Sequence, residues 1–368
     1  MKIPIAKHQI TPEDCQAVLK TLKSPYVSCG PKVNEFEQKI AKYVNRKYGI
    51  AVSSGTAALH LILQAIDIQE GDEVITTPFS FIASSNCIMF EKAKPVFVDI
   101  DPKTRNIDPN KIEKAITKKT KAILAVDIFG QSADWNKIIK IAKKHKLHII
   151  EDSCEALGSE YKNKKCGSFG DASTFAFFPN KQITTGEGGM IVTNNKKIYE
   201  LCLSLRNQGR NAQPKWLEYE RVGYNYRISD INCALGINQL KRIEKIIKKR
   251  EKVVKMYNEE LSNIEELKIP YQIPKTKISW MHYVIELSDK YNRKDRDKIM
   301  EKLRLNGIGC REYFPAIHLM PHYKKLGYKE GDLPVCEHLS EKVISLPLHN
   351  EITKKEIIYI AKTFRKIL

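Results

Sequence analysis

The stretch Ala122–Asp152 reads AILAVDIFGQSADWNKIIKIAKKHKLHIIED. Its first part, Ala122–Phe129, is a short apolar run bounded by glycine and reads as a buried strand. Trp135–His145 follows with a helical pattern, and a second apolar run, His148–Asp152, ends on two acids. The same rhythm extends outward. Further strand candidates are Glu73–Thr77, Pro95–Ile100, Ser173–Phe177 and Met190–Thr193. Helical stretches at Ala57–Ile66, Phe81–Phe90 and Asn110–Ala115 lie between several of them. Alternation of this kind predicts an α/β fold with a mostly parallel sheet, and right-handed crossovers place helices on both of its faces.

The rhythm changes after about residue 228. One long helix is expected from Ser229 to Glu260, with Leu240, Ile243, Ile247 and Val254 as its buried stripe. The lysines and arginines of Lys241–Lys255 then form its solvated face. A Pro- and Lys-rich stretch follows at Ile269–Lys275. Beyond it come a strand-like His282–Leu287, a helix near Arg293–Asn306 and a second strand near Ile308–Tyr313. The division this implies is a large α/β domain over 12–245 and a smaller C-terminal α+β domain over 246–368, with 1–11 as an N-terminal segment.

Composition narrows the function classes. The chain has 368 residues, 62 of them basic and 43 acidic, for a net charge of +19. That balance admits a nucleic-acid-binding regulator. Against it, the lysines are spread along the chain among glutamates, and no helix-turn-helix or zinc finger is present. A positive surface also favours anionic, phosphate-bearing substrates. No stretch offers the roughly 20 apolar residues of a membrane span, and no signal peptide is read at the start. The expected location is the cytoplasm, without a membrane or nucleic-acid partner. Nine scattered cysteines with no Cys-x-x-Cys pair read as reduced thiols, and no metal site is expected.

Three segments carry chemistry. At Ser53-Ser54-Gly55-Thr56-Ala57-Ala58-Leu59 a strand passes into a helix through small and hydroxyl residues. Free N–H groups and the positive helix end can hold a phosphate there, although a plain N-cap explains the same residues. In Ile149-Ile150-Glu151-Asp152 the acids end a strand, and ligands bind at the carboxyl ends of parallel strands, although an Asp that caps the next helix explains the same residues. In Phe177-Phe178-Pro179-Asn180-Lys181-Gln182, followed by Gly186-Glu187-Gly188-Gly189, a lysine leaves a buried strand and enters a glycine-rich turn. A lysine in a low-dielectric pocket becomes a usable amine, although an ordinary surface lysine is an equal reading of the same residues. In order, these are a phosphate cradle, an acid and an amine, the three partners that pyridoxal 5'-phosphate (PLP) requires.

The sequence resembles the fold-type I, PLP-dependent sugar aminotransferases of the DegT family over nearly its whole length. The matching motifs are Ser54–Leu59, Gly71–Ile75, Ala93–Asp99, Glu151-Asp152, Gly186–Gly189 and Gly223-Tyr224-Asn225-Tyr226-Arg227. The resemblance implies that Lys181 is the Schiff-base lysine and that Asp152 keeps the pyridine nitrogen protonated. Glu155 stands next to the ring hydroxyl, where Gln is frequent. Thr56 and Ala57 belong to the phosphate loop, and Phe81 stacks on the ring. Asn225 reaches the phosphate of a neighbouring subunit, which implies a homodimer with shared sites. Arg227 and His318 are the expected substrate contacts.

The activity implied is transfer of an amino group from L-glutamate to a nucleotide-linked keto sugar. Glu155, Asn180-Lys181 and Arg206–Gly209 resemble the perosamine-synthase branch, whose acceptor is a 4-keto-6-deoxyhexose used for surface polysaccharide or amino-sugar synthesis. A sugar 3-aminotransferase is an alternative. A sugar dehydratase is another, although such relatives replace the lysine by His. One departure stands out: Ala176 occupies a position where many members carry a phosphate-binding Ser, with Thr174 or Ser173 as candidate substitutes. Trp216 is read either as a lining residue of a loop near the substrate or as a packing residue.

Overall fold

The computed structural model describes residues 1–211 and 218–368, so Trp216 lies outside the described residues. Seven strands form the main sheet: Tyr48–Val52 (β1), Glu73–Thr76 (β2), Lys94–Phe97 (β3), Thr120–Val126 (β4), His148–Asp152 (β5), Ala172–Ala176 (β6) and Gly189–Thr193 (β7). Their order in space is β1-β7-β6-β5-β4-β2-β3. Pairing is parallel from β3 through β6, whereas β7 runs antiparallel to both of its neighbours. Every residue of β2 and β7 is buried, and β4 is buried except at Lys121. Apolar cores lie on both faces of the sheet.

Because β7 is reversed, it begins at the edge where the other strands end. Val52 of β1 and Ala176 of β6 both pair with Gly189. Helix Gly55–Ala65 starts at the same edge. Its N-cap, Ser54, has an extended backbone and accepts the Ala57 N–H on Oγ at 3.1 Å. Most of this helix is buried, which matches its apolar composition.

A second sheet joins Leu267–Lys268, Tyr283–Leu287 and Val343–Leu346, all antiparallel. The strand expected near Ile308–Tyr313 is not formed. That segment makes only isolated bridges, Ile308 with Ile3 and Arg311 with Ser345. Its backbone is instead engaged with the chain start, through Ile3 N–H to Gly307 O and Gly309 N–H to Ile3 O, both at 2.8 Å. The single long helix expected from Ser229 is two helices, Asp230–Leu240 and Ile243–Leu261. Arg242 interrupts them: its guanidinium pairs with the buried Asp14 and donates to Gln9 O at 3.0 Å. Among the described residues no helix is long and apolar enough to cross a membrane.

Between β4 and β5 lies a buried acid pair. Asp127 Oδ1 accepts the Ala133 N–H (2.9 Å) and the Trp135 indole N–H (3.0 Å). Glu151 accepts the N–H groups of Gly167 (2.6 Å) and Phe169 (2.8 Å) and the Ser173 hydroxyl (2.6 Å). Ser153 Oγ sits 2.7 Å from Asp127 Oδ2 and 2.9 Å from Glu151 Oε1. One hydroxyl has one proton to donate, so one acid must donate back. Glu151 has more donors and the Arg46 charge nearby, which assigns the retained proton to Asp127. Burial, and then the Glu151 charge, push Asp127 well above the usual carboxylate range. Cys166 Sγ lies in the same cluster, but the carboxylate oxygens are already committed to these donors.

An acid raised on folding contributes stability at low pH that is lost as pH rises toward its folded value. Asp127→Asn keeps both acceptor contacts and donates to Ser153 without a titrating proton. The variant should match wild type near pH 4 and exceed it near pH 8, by on the order of 1–3 kcal/mol. Thermal midpoints across that range test this, and parallel curves for the two proteins would refute the assignment.

Candidate active site

A cavity of about 480 Å³ opens at the shared strand edge. Thr56, Phe81, Asp152, Glu155 and Lys181 all line it, together with Ser84, Ala176, His282 and Tyr313. Five of the sequence-selected residues therefore meet in one place. They come from the helix start after β1, the segment after β2, the end of β5 and the loop after β6.

At the helix start, Ala57 N–H is taken by Ser54 Oγ and Ala58 N–H by Ser54 O, both at 3.1 Å. The N–H groups of Gly55 and Thr56 have no acceptor among the described residues. These two are the free donors of the cradle, so Ala57, one residue deeper, is not. Gly55 is required by packing: a Cβ there would sit 2.9 Å from both Ala176 Cβ and Cys154 Sγ.

Asp152 is almost fully buried and held by donors on both oxygens. Ser84 Oγ donates to Oδ2 at 2.7 Å, while Cys154 N–H (3.1 Å) and Thr174 Oγ1 (3.4 Å) reach Oδ1. Such donors fix its orientation. Lys181 Nζ stands 3.7 Å from Glu155 Oε1, and Glu155 Oε2 accepts the Phe129 N–H at 2.7 Å. Burial raises Glu155 above its ordinary value, with Lys181 opposing. The loop carrying Lys181 is fastened from below. Buried Arg250 donates to Lys181 O at 3.1 Å and to Trp280 O at 2.8 Å, and Gln182 Nε2 donates to Ser279 Oγ at 2.8 Å.

Other expected residues lie elsewhere. Asn225 is exposed and Arg227 half-buried, its Nη1 donating to Asn207 Oδ1 (2.9 Å) and Gln208 Oε1 (2.5 Å); neither lines this chain's cavity. Arg227 borders a separate cavity of about 270 Å³ with Arg206 and Arg210. His318 is 0% exposed, with Nε2 2.9 Å from Glu337 Oε1, packed near Phe97 and Tyr328. It does not line this chain's cavity. Ser173 and Thr174 do not replace the serine missing at Ala176, because Ser173 is bound to Glu151 and Thr174 faces Asp152. Phe81 is 61% exposed at the cavity mouth, in reach of a planar ligand from one side.

Sequence reasoning missed Ser84, His282, Tyr313 and Arg250. Ser84 lay inside an ordinary helical pattern, and Arg250 inside a run of basic residues read as solvated. No local motif marked either.

A lysine amine, an oriented carboxylate and free helix N–H donors around one cavity at the strand ends define a cofactor-dependent group-transfer site. A model of the DegT/DnrJ/EryC1/StrS aminotransferase family matches residues 8–365. The spore coat polysaccharide biosynthesis protein SpsC of Bacillus subtilis is 36% identical, covering 100% of this chain and 97% of the relative. GDP-perosamine synthase of Escherichia coli O157:H7 is 36% identical, over 99% and 98% of the two chains. Spr1654 of Streptococcus pneumoniae, solved in a PLP form, superposes with a TM-score of 0.95 at 28% identity, covering 100% of this chain and 98% of its own. The chain belongs to the DegT/DnrJ/EryC1/StrS aminotransferase family.

The donor set fits PLP, with N–H groups for a phosphate, a fixed carboxylate for a ring N–H and an amine for an aldehyde. Ser84→Ala removes the shortest hydrogen bond to Asp152. It should cost about 1.5–3 kcal/mol of stability, the range for a hydrogen bond to a charged group. It should also weaken PLP binding, read by titrating apoprotein absorbance. Unchanged stability and affinity would show that Ser84 does not hold the carboxylate.

Proposed function

We propose that this chain transfers an amino group from L-glutamate to a nucleotide-linked keto sugar, a 4-keto-6-deoxyhexose, using PLP. Its product is an amino sugar for polysaccharide synthesis. The observation that carries this reading is the meeting of Lys181, Asp152 and the uncommitted N–H groups of Gly55 and Thr56 around one cavity. Membership of an aminotransferase family supports the reaction class. The names of the 36% identical relatives, a polysaccharide biosynthesis protein and a GDP-perosamine synthase, support the acceptor class.

When bound, PLP supplies an electron sink for the charge left as a proton leaves the substrate carbon. The residues do the rest. Gly55 and Thr56 N–H groups, at the positive end of a buried helix, hold the phosphate. Asp152, oriented by Ser84, Cys154 and Thr174, would hold a proton on the ring nitrogen. Lys181 Nζ would hold the cofactor's aldehyde carbon and would serve as the base that carries the substrate's proton. Glu155 lies beside that amine and would stand next to the ring hydroxyl, and Phe81 at the cavity mouth would cover one ring face. Asn225 and Arg227, exposed or half-buried away from their own cavity, serve the site of a second copy in a homodimer.

Protein reconstituted with PLP should show the absorbance of a lysine-bound cofactor, and glutamate should shift it to that of the amine form. Lys181→Ala should lose at least about 10³-fold in turnover. Wild-type turnover in that variant would sink the reading. NMR of the sugar product, by locating the new C–N bond, separates amination at carbon 4 from amination at carbon 3.

A further inference from the structure

We propose that His282 binds a hydroxyl group of the acceptor sugar and thereby selects the substrate of the second half-reaction; this rests on the transamination reading above. His282 lines the cavity and is only 8% exposed. Its ring nitrogens make no hydrogen bond among the described residues. The two carboxylates of the cavity are partnered, Asp152 by Ser84, Cys154 and Thr174, and Glu155 by Phe129 and Lys181, whereas Asn180 Oδ1 on the same wall is, like the imidazole, without a protein partner among the described residues. An imidazole that lines a binding cavity without a protein hydrogen-bond partner is open to a ligand there.

The ring cannot turn away to find another partner. It packs edge-on against Phe129 (centroids 5.9 Å, 89°) and against Tyr313 (4.6 Å, 62°). The preceding backbone is pinned by Met281 N–H to Phe129 O at 3.0 Å and by Arg250 to Trp280 O at 2.8 Å. Arg250 also grips Lys181 O, so His282 and Lys181 are fixed on one frame. Ligand must therefore come to the imidazole.

Its charge state identifies the ligand class. Burial, and then the positive charges of Lys181 and Arg250, hold His282 well below its ordinary value, as a neutral imidazole. A neutral imidazole offers one donor and one acceptor. That pair complements an alcohol. A phosphate or carboxylate calls for a cation. The diphosphate of the nucleotide and the carboxylates of glutamate are thus poor partners, and a sugar hydroxyl is the matching one.

The test uses full-length holoenzyme and follows each half-reaction separately by cofactor absorbance. The acceptor is whichever of the GDP-, UDP- and dTDP-linked 4-keto-6-deoxyhexoses wild type consumes. His282→Phe keeps the ring volume without polar atoms. It should lower kcat/KM of the sugar half-reaction about 10- to 100-fold, the loss typical of an unpaired substrate hydroxyl, and leave the glutamate half-reaction within about 3-fold. His282→Gln, with a donor and an acceptor, should recover most of the loss, which also guards against misfolding of the Phe variant. Equal slowing of both half-reactions, or of neither, overturns the proposal while leaving transamination intact. Wild type that turns over glutamate but no keto sugar overturns the acceptor reading and this proposal together.

Discussion

Strand β7 runs against all its neighbours, and the point where it begins constrains the whole site. Gly189 lies so close to the start of the neighbouring helix that a Cβ would stand 2.3 Å from Ser54 O. At Gly188 a Cβ would be 2.4 Å from Thr185 Oγ1. Any side chain at Gly189 would push backbone against backbone, where nothing flexible can yield. With glycine, β7 can begin beside the phosphate cradle. The chain between β6 and β7 must then fold back sharply, through Phe177 N–H to Gly188 O and Thr185 N–H to Phe177 O. Lys181 sits in that fold. The cradle, the carboxylate and the amine are brought together by one reversed strand and the glycines at its start.

Strand β5 divides its two terminal acids between structure and chemistry. Successive residues on a strand point to opposite faces. Glu151 turns into the acid pair with Asp127 and is satisfied by backbone and hydroxyl donors. Asp152 turns into the cavity, held by Ser84 and Thr174. Adjacent carboxylates thus have separate environments, and the structural one is shielded from ligands by its own hydrogen bonds.

The parallel sheet was legible because its strands are apolar on both faces and its punctuation is plain. His148–Asp152 and Trp135–His145 were read to the residue. Lys181 and Asp152 were legible because their types are unusual at strand ends. Elements held by distant partners were not. Arg242 looks helical in sequence, yet Asp14, 228 residues away, stops the helix there. Ile308–Tyr313 looks like a strand, yet the chain start occupies its edge. His318 carried a plausible role from its motif, but Glu337 supplies its partner inside the core. Phe81 was reached through the family resemblance and Asp152 through its place at a strand end, whereas Ser84 and His282 matter because the fold brings them to Asp152 and Lys181.

Arg250 shows how the smaller sheet takes part in the chemistry. Burial lowers it to about 10, still well above neutral pH, so it remains charged. A buried cation needs acceptors, and it uses two carbonyls, from Lys181 and Trp280, in place of a carboxylate. Among the described residues it has no acid partner, and its charge acts on His282. That charge, added to the charge of Lys181, disfavours a second cation at His282. Arg250 therefore ties the amine-bearing loop to the segment that leads into strand Tyr283–Leu287 and adds a positive charge beside His282.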